Sequence, residues 1–68
     1  MNKWEIISKL KPYCGLDKEI NLSIKLRDGE IIKIIKVEFM NEKLVMFKLA
    51  GEMSHVFELD EIENVAEE

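Results

Sequence analysis

Between residues 20 and 39 the chain alternates, turns and alternates again. Ile20, Leu22, Ile24 and Leu26 are separated by Asn21, Ser23, Lys25 and Arg27, the period of two that leaves one face of a strand apolar and the other wet. Asp28-Gly29 follows. Both residues tolerate positive φ, as a two-residue hairpin loop requires, so the pair predicts a tight turn into a second strand. That strand runs from residue 30 to about residue 40, and its apolar phase changes midway. Ile32 and Ile34 fall on even positions, whereas Ile35, Val37 and Phe39 fall on odd ones. One residue of slip moves every side chain to the opposite face, so a bulge or sharp bend is expected near Ile34-Ile35.

The flanking segments complete a small β domain. Asn2 is placed to cap a first helix through Lys11, and Pro12 is expected to stop it by disfavouring helical geometry in the residue before it. Trp4, Ile6, Ile7 and Leu10 share one broad half of that helix, and a helix so short must dock to be stable. Residues 13–18 read as a connector, with Gly15 a helix stop. Asn41-Glu42-Lys43 predicts a turn and residues 44–49 a third strand, apolar on both faces: Val45, Phe47 and Leu49 on one, Leu44 and Met46 on the other. The first face fills the core, and the helix is expected to cover the second, with self-association as the alternative. Ala50-Gly51-Glu52 turns again, and residues 55–59 form a fourth strand with Phe57 and Leu59 inward. Asp60-Glu61 begins one helical turn, and Ile62 with Val65 forms a short fifth strand that ends at a frayed 66–68. The expected fold is therefore mainly β: one domain over 1–68, helix and connector at 2–14, and a five-stranded antiparallel SH3-like or Sm-like barrel at 20–65.

Composition bounds the function. A domain of 68 residues buries only about 60% of its extended-chain surface, too little to enclose a deep enzyme cleft. Hydrophobic residues at 47% and charged ones at 35% exclude global disorder. One cysteine excludes an internal disulfide framework, and without a signal peptide or long apolar segment a cytoplasmic location and no membrane contact are expected. Nine lysines against one arginine point to an AT-rich source, a low-GC bacterium or its phage. Charge is split: residues 1–48 carry ten basic and seven acidic groups, whereas 49–68 carry seven acidic groups and no lysine or arginine. Affinity for nucleic acid comes largely from neutralised phosphates, so a net charge of −4 argues against a nucleic-acid binder, and the acidic stretch reads first as a solvated tail.

The turn residues carry a family resemblance. Leu26-Arg27-Asp28-Gly29-Glu30 resembles the first turn of Sm-like proteins, with Phe39 near the place of a family aromatic. The RNA-contact signature is not carried over: Met40 stands for the aspartate, an apolar residue near Leu44 for the asparagine, Asp60-Glu61 for the closing Arg-Gly, and Ile34 for the bend glycine. The segment 22–30, the Ala50-Gly51-Glu52 turn and the Leu59-Asp60-x-Ile62 closure are similar to those of Rof-like inhibitors of transcription termination factor Rho. The YolD-like small proteins have a comparable ending. What the Rof-like resemblance implies is an acidic barrel that covers the RNA-binding surface of a basic partner, with the amino-terminal region in contact.

Candidate residues follow from these readings. Partner binding is assigned to Glu58, Asp60, Glu61 and Glu63, with Trp4 either pinning the helix onto the sheet or serving as an interface anchor. Lys25, Arg27, Lys33 and Lys36 form the alternative surface, the basic stripe of an RNA-binding oligomer, or else protect strand edges. A barrel acting by homodimerisation is the third reading. His55 and Cys14 are too few soft ligands for a closed zinc site, Cys14 reads as a buried hydrophobe, and no nucleophile–base pair or phosphate loop is present. No cofactor and no enzymatic activity are expected.

Overall fold

The computed structural model describes residues 2–67. Helix α1 spans Lys3–Leu10 and runs into a 3-10 turn at Lys11–Tyr13. Strands β1 (Leu22–Leu26), β2 (Ile31–Met40), β3 (Leu44–Leu49) and β4 (Ser54–Glu58) follow, then a second 3-10 turn at Leu59–Glu61 and β5 (Ile62–Glu67). The strands form one antiparallel sheet in the order β4-β3-β2-β1-β5. No helix among the described residues is long and apolar enough to cross a membrane.

Asn2 caps α1 as its position implied, its Oδ1 accepting the Glu5 N–H at 2.9 Å. Pro12 acts differently from expectation. Lys11 keeps helical angles of φ −53° and ψ −42°, because Pro12 sits in the first turn of a 3-10 segment, where a missing N–H is tolerated. The helical path ends only at Cys14, whose ψ of 125° is extended. Cys14 then bridges Val37 of β2 and is exposed, not buried.

Leu22, Ile24 and Leu26 of β1 are buried, as their alternation predicts. The loop after them holds three residues, 27–29, rather than two. Leu26 donates its N–H to the Glu30 carbonyl at 2.8 Å, and Gly29 donates to the Leu26 carbonyl at 2.9 Å. Only Gly29 has a positive φ (94°); Asp28 instead accepts the Glu30 N–H at 2.9 Å. This is the three-residue hairpin with a glycine at its left-handed position.

The phase change in β2 is present, and it happens twice. Pairing with β3 slips between Ile34 and Lys36 and again between Val37 and Phe39. Ile34 and Val37 are buried, with Met40 packed against the same core. The second bulge turns Phe39 outward, contrary to the alternation expected of it, and leaves it 52% exposed.

The order of the strands forces the sheet to curl. β4 and β5 are its two edges, and at about 4.8 Å per strand a flat sheet would hold them nearly 20 Å apart. Only Leu59–Glu61 joins them, and a 3-10 turn rises about 2 Å per residue. The two edges are therefore held within a short turn's reach of each other at that end, in a molecule of overall extents 27 × 22 × 20 Å. Phe47, Val45, Ile62 and Leu59 fill the concave side, closed by Ile6 and Leu10 of α1. The helix lies along β5 and the second 3-10 turn, so the expected cover over the outer face of β3 is not supplied, and Leu44 stays exposed. β5 runs on through Ala66 and Glu67, into the stretch read as frayed, because Leu22 and Ser23 pair with both; Glu68 lies outside the described residues.

Candidate partner-binding surface

Three segments converge at one end of the sheet. The Leu59 N–H donates to the Lys43 carbonyl at 2.8 Å, fastening the second 3-10 turn to the β2–β3 turn, and α1 packs against the same 3-10 turn. Asn41 shapes the β2–β3 turn: its Oδ1 accepts the Lys43 and Leu44 N–H groups at 2.8 and 2.7 Å. The sequence therefore builds a rigid corner from an asparagine and a buried leucine.

Trp4 stands over this corner. It is 61% exposed, so it does not pin the helix; Ile6 and Leu10 do. At about 100° per residue, Trp4 lies well over 100° from the Ile6–Leu10 direction, at the rim of the apolar half. The helical wheel carries that signal, whereas grouping the four apolar residues together hides it. Beside the indole lies a groove of about 470 Å³ lined by Trp4, Ile7, Lys11, Cys14, Met40 and Glu42. Its floor is apolar and its rim carries one cation and one carboxylate. The Lys3 ammonium sits 5.3 Å from the indole centroid, close enough for a cation–π contact. Cys14 and Met40, which no motif marked, enter the site through the Cys14–Val37 bridge and the second bulge.

The acidic and basic candidates meet instead of standing apart. Arg27 donates from Nε to the Asp60 carbonyl at 2.6 Å and from its backbone N–H to the Glu61 carbonyl at 2.9 Å. Lys25 pairs with Glu63 at 3.5 Å, both side chains about half exposed, a contact weak in stability terms. Glu58 and Glu61 cap each other's backbone across the 3-10 turn. Asp60, at the tip of that turn, is exposed. The remaining basic candidates lie elsewhere: Lys33 registers with Ser23, and Lys36 lies opposite Lys48 on the outer face of β2 and β3.

On the far side of α1, a depression of about 400 Å³ is lined by Ser8, Lys9, Tyr13, Asn64 and Glu67. Lys9 donates from Nζ to the Val65 carbonyl at 3.2 Å. The Tyr13 hydroxyl donates to the Glu67 carboxylate, which holds its pKa above the usual phenolic value of 10.0, through the hydrogen bond first and then desolvation and charge. His55 is exposed on β4 and stacks on Phe57, centroids 6.2 Å apart. Among the described residues no group of three or more His, Cys, Asp or Glu is placed to hold a metal ion. Compared with protein-family models, curated proteins and solved structures, the chain matches none.

Proposed function

We propose that this chain is a non-enzymatic, cytoplasmic protein-interaction module on a small SH3-like or Sm-like barrel, an inhibitor that covers the nucleic-acid-binding surface of a basic partner enzyme. The observation that carries the reading is Trp4, 61% exposed above an apolar groove. Tryptophan is the residue most enriched among binding hot spots. A large aromatic held out of a core that has room for Ile6 and Leu10 is better spent on a partner. Glu42 lines the groove, and the turn that carries Glu58, Asp60 and Glu61 packs against the same helix. The barrel reading is supported by edge strands that a three-residue turn joins.

The test is capture of partners from a bacterial lysate on the immobilised chain, followed by an assay of the captured enzyme's nucleic-acid binding. Retention should fall with Trp4→Ala and with Asp60→Lys, and it should fall as salt rises, since steering between opposite charges is screened. The captured enzyme should lose its polynucleotide when the chain is added. A partner held equally by Trp4→Ala, or one that binds polynucleotide and chain together, contradicts the reading.

One observation favours a second reading, an RNA-binding Sm-like oligomer. Lys36 and Lys48 oppose each other across β2 and β3, a repulsion that a phosphate would relieve. Lys33 lies on the neighbouring β1–β2 pairing, whereas Lys25 and Arg27 are engaged by Glu63 and by the Asp60 and Glu61 carbonyls. It predicts a shift of labelled U-rich RNA at low salt, lost with Lys36→Glu.

A further inference from the structure

The two edges of the sheet are treated differently. The β5 edge is occupied: α1 packs along it, and Lys9 Nζ takes the Val65 carbonyl. The β4 edge is short and ends in Glu58, but among the described residues no covering helix and no bulge keeps it from pairing. Its sequence, Ser54-His55-Val56-Phe57-Glu58, has no proline and no lysine, and its register with β3 is unbroken over five pairs.

The direction of its backbone groups follows from the ladder. Leu49 donates to the Met53 carbonyl at 2.7 Å and Leu59 to the Lys43 carbonyl at 2.8 Å. Antiparallel pairs alternate between hydrogen-bonded and non-bonded. His55 and Phe57 therefore bond back to β3, whereas Ser54, Val56 and Glu58 turn their N–H and C=O groups to the free edge. The Glu58 N–H is already satisfied by Glu61 Oε1 at 3.2 Å. What remains is a self-complementary set centred on Val56.

We propose that β4 pairs with β4 of a second copy, antiparallel about a two-fold axis through Val56, to make a continuous ten-stranded sheet. In this register Val56 exchanges both hydrogen bonds with its symmetry mate, and each Ser54 N–H donates to the opposite Glu58 carbonyl. Glu58 lies opposite Ser54, whose hydroxyl donates to the Glu38 carboxylate, so carboxylates approach each other only at the two ends of the pairing. On the outer face Phe39, Met46 and Val56 already form a row through consecutive strand pairs, and Val56 and Phe39 are 58% and 52% exposed. The two-fold axis joins that row to its copy. On the other face, His55 and Phe57 come opposite the partner's Phe57 and His55. Because α1 covers β5, a head-to-tail β4–β5 chain is blocked, and the closed dimer is the arrangement left. A single strand pair is of transient rather than obligate size, so association depends on concentration. With each copy at −4, added salt should strengthen it by screening the repulsion.

Sedimentation equilibrium from micromolar to millimolar chain is the test. The wild-type mass should rise from 8.0 kDa toward twice that value, further at high salt. Val56→Lys puts two ammonium groups opposite each other at the axis while leaving the β3 ladder intact, and should stay at the single-chain mass. Val56→Pro, which removes only an outward N–H, should do the same. Trp4→Ala should dimerise like wild type. A wild-type chain that stays monomeric at millimolar concentration overturns the proposal, as does association that survives Val56→Lys or is lost with Trp4→Ala.

Discussion

Trp4 is held out of the core at little cost to the fold, and that separates its two predicted roles. Its truncation to alanine should change stability by no more than about 0.5 kcal/mol in chemical denaturation, whereas Phe47→Ala, at a fully buried position, should lose about 3–5 kcal/mol. The same Trp4→Ala change should weaken partner binding by about 2 kcal/mol or more, a factor of ~30. Glu52 presents the opposite case. Its φ of 65° is left-handed without being glycine, a conformation that costs an L-residue about 1–2 kcal/mol. Glu52→Gly should therefore raise the denaturation midpoint by up to about 1 kcal/mol in stability, net of the glycine's extra chain entropy. At Gly29 the φ of 94° makes alanine unfavourable by a similar amount. Tyr13 gives a pH signature. Its pKa is raised in the folded chain by Glu67, so its contribution is fully present below the ordinary pKa of 10.0 and is lost as pH climbs through the folded value. Ultraviolet titration should show the phenolate appearing late, and Glu67→Gln should bring it back toward the ordinary value.

At the scale of the element, β2 decides how the sheet is shaped and which side chains it shows. Its buried and packed positions run Ile34, Val37, Met40, a step of three in a strand whose natural step is two, which is what two bulges produce. Val37→Ala should therefore cost about 2 kcal/mol, whereas Phe39→Ser, two residues away on the wet side, should stay within about 0.5 kcal/mol. Equal losses at both sites would mean that the second bulge is absent. The first slip was legible because Ile34 and Ile35 sit side by side; the second was hidden, since Phe39 kept the odd phase that Val37 had begun. Helix α1 was legible through Asn2, and its partner was not. Periodicity names an apolar face but not the surface it meets, so the doubly apolar β3 drew the helix onto the wrong side. The three-residue loop was missed because Asp-Gly satisfies two loop lengths, and only the Leu26–Glu30 hydrogen bond distinguishes them.

For the whole molecule, local rules delivered the helix, the five strands and nearly all of the core, while the candidate site depended on long-range closure. Glu58, Asp60, Glu61 and Glu63 read as one bare acidic surface in sequence. Folding pairs Lys25 with Glu63 and sets Arg27 on the Asp60 carbonyl, which narrows the proposed binding corner to the exposed Asp60, the Glu42 rim and Trp4. No composition count contains that juxtaposition, because β1 and β5 are far apart in the chain and adjacent in the sheet. The two proposed associations should respond oppositely to salt, partner capture weakening and β4 pairing strengthening. The central claim is that the corner built around Trp4 is where a partner binds, and titration of the captured enzyme with wild-type and Trp4→Ala chains tests it most directly. With both chains shown to unfold at the same denaturant midpoint, the account predicts an affinity loss of about 30-fold for Trp4→Ala; equal affinity of the two folded chains would contradict it.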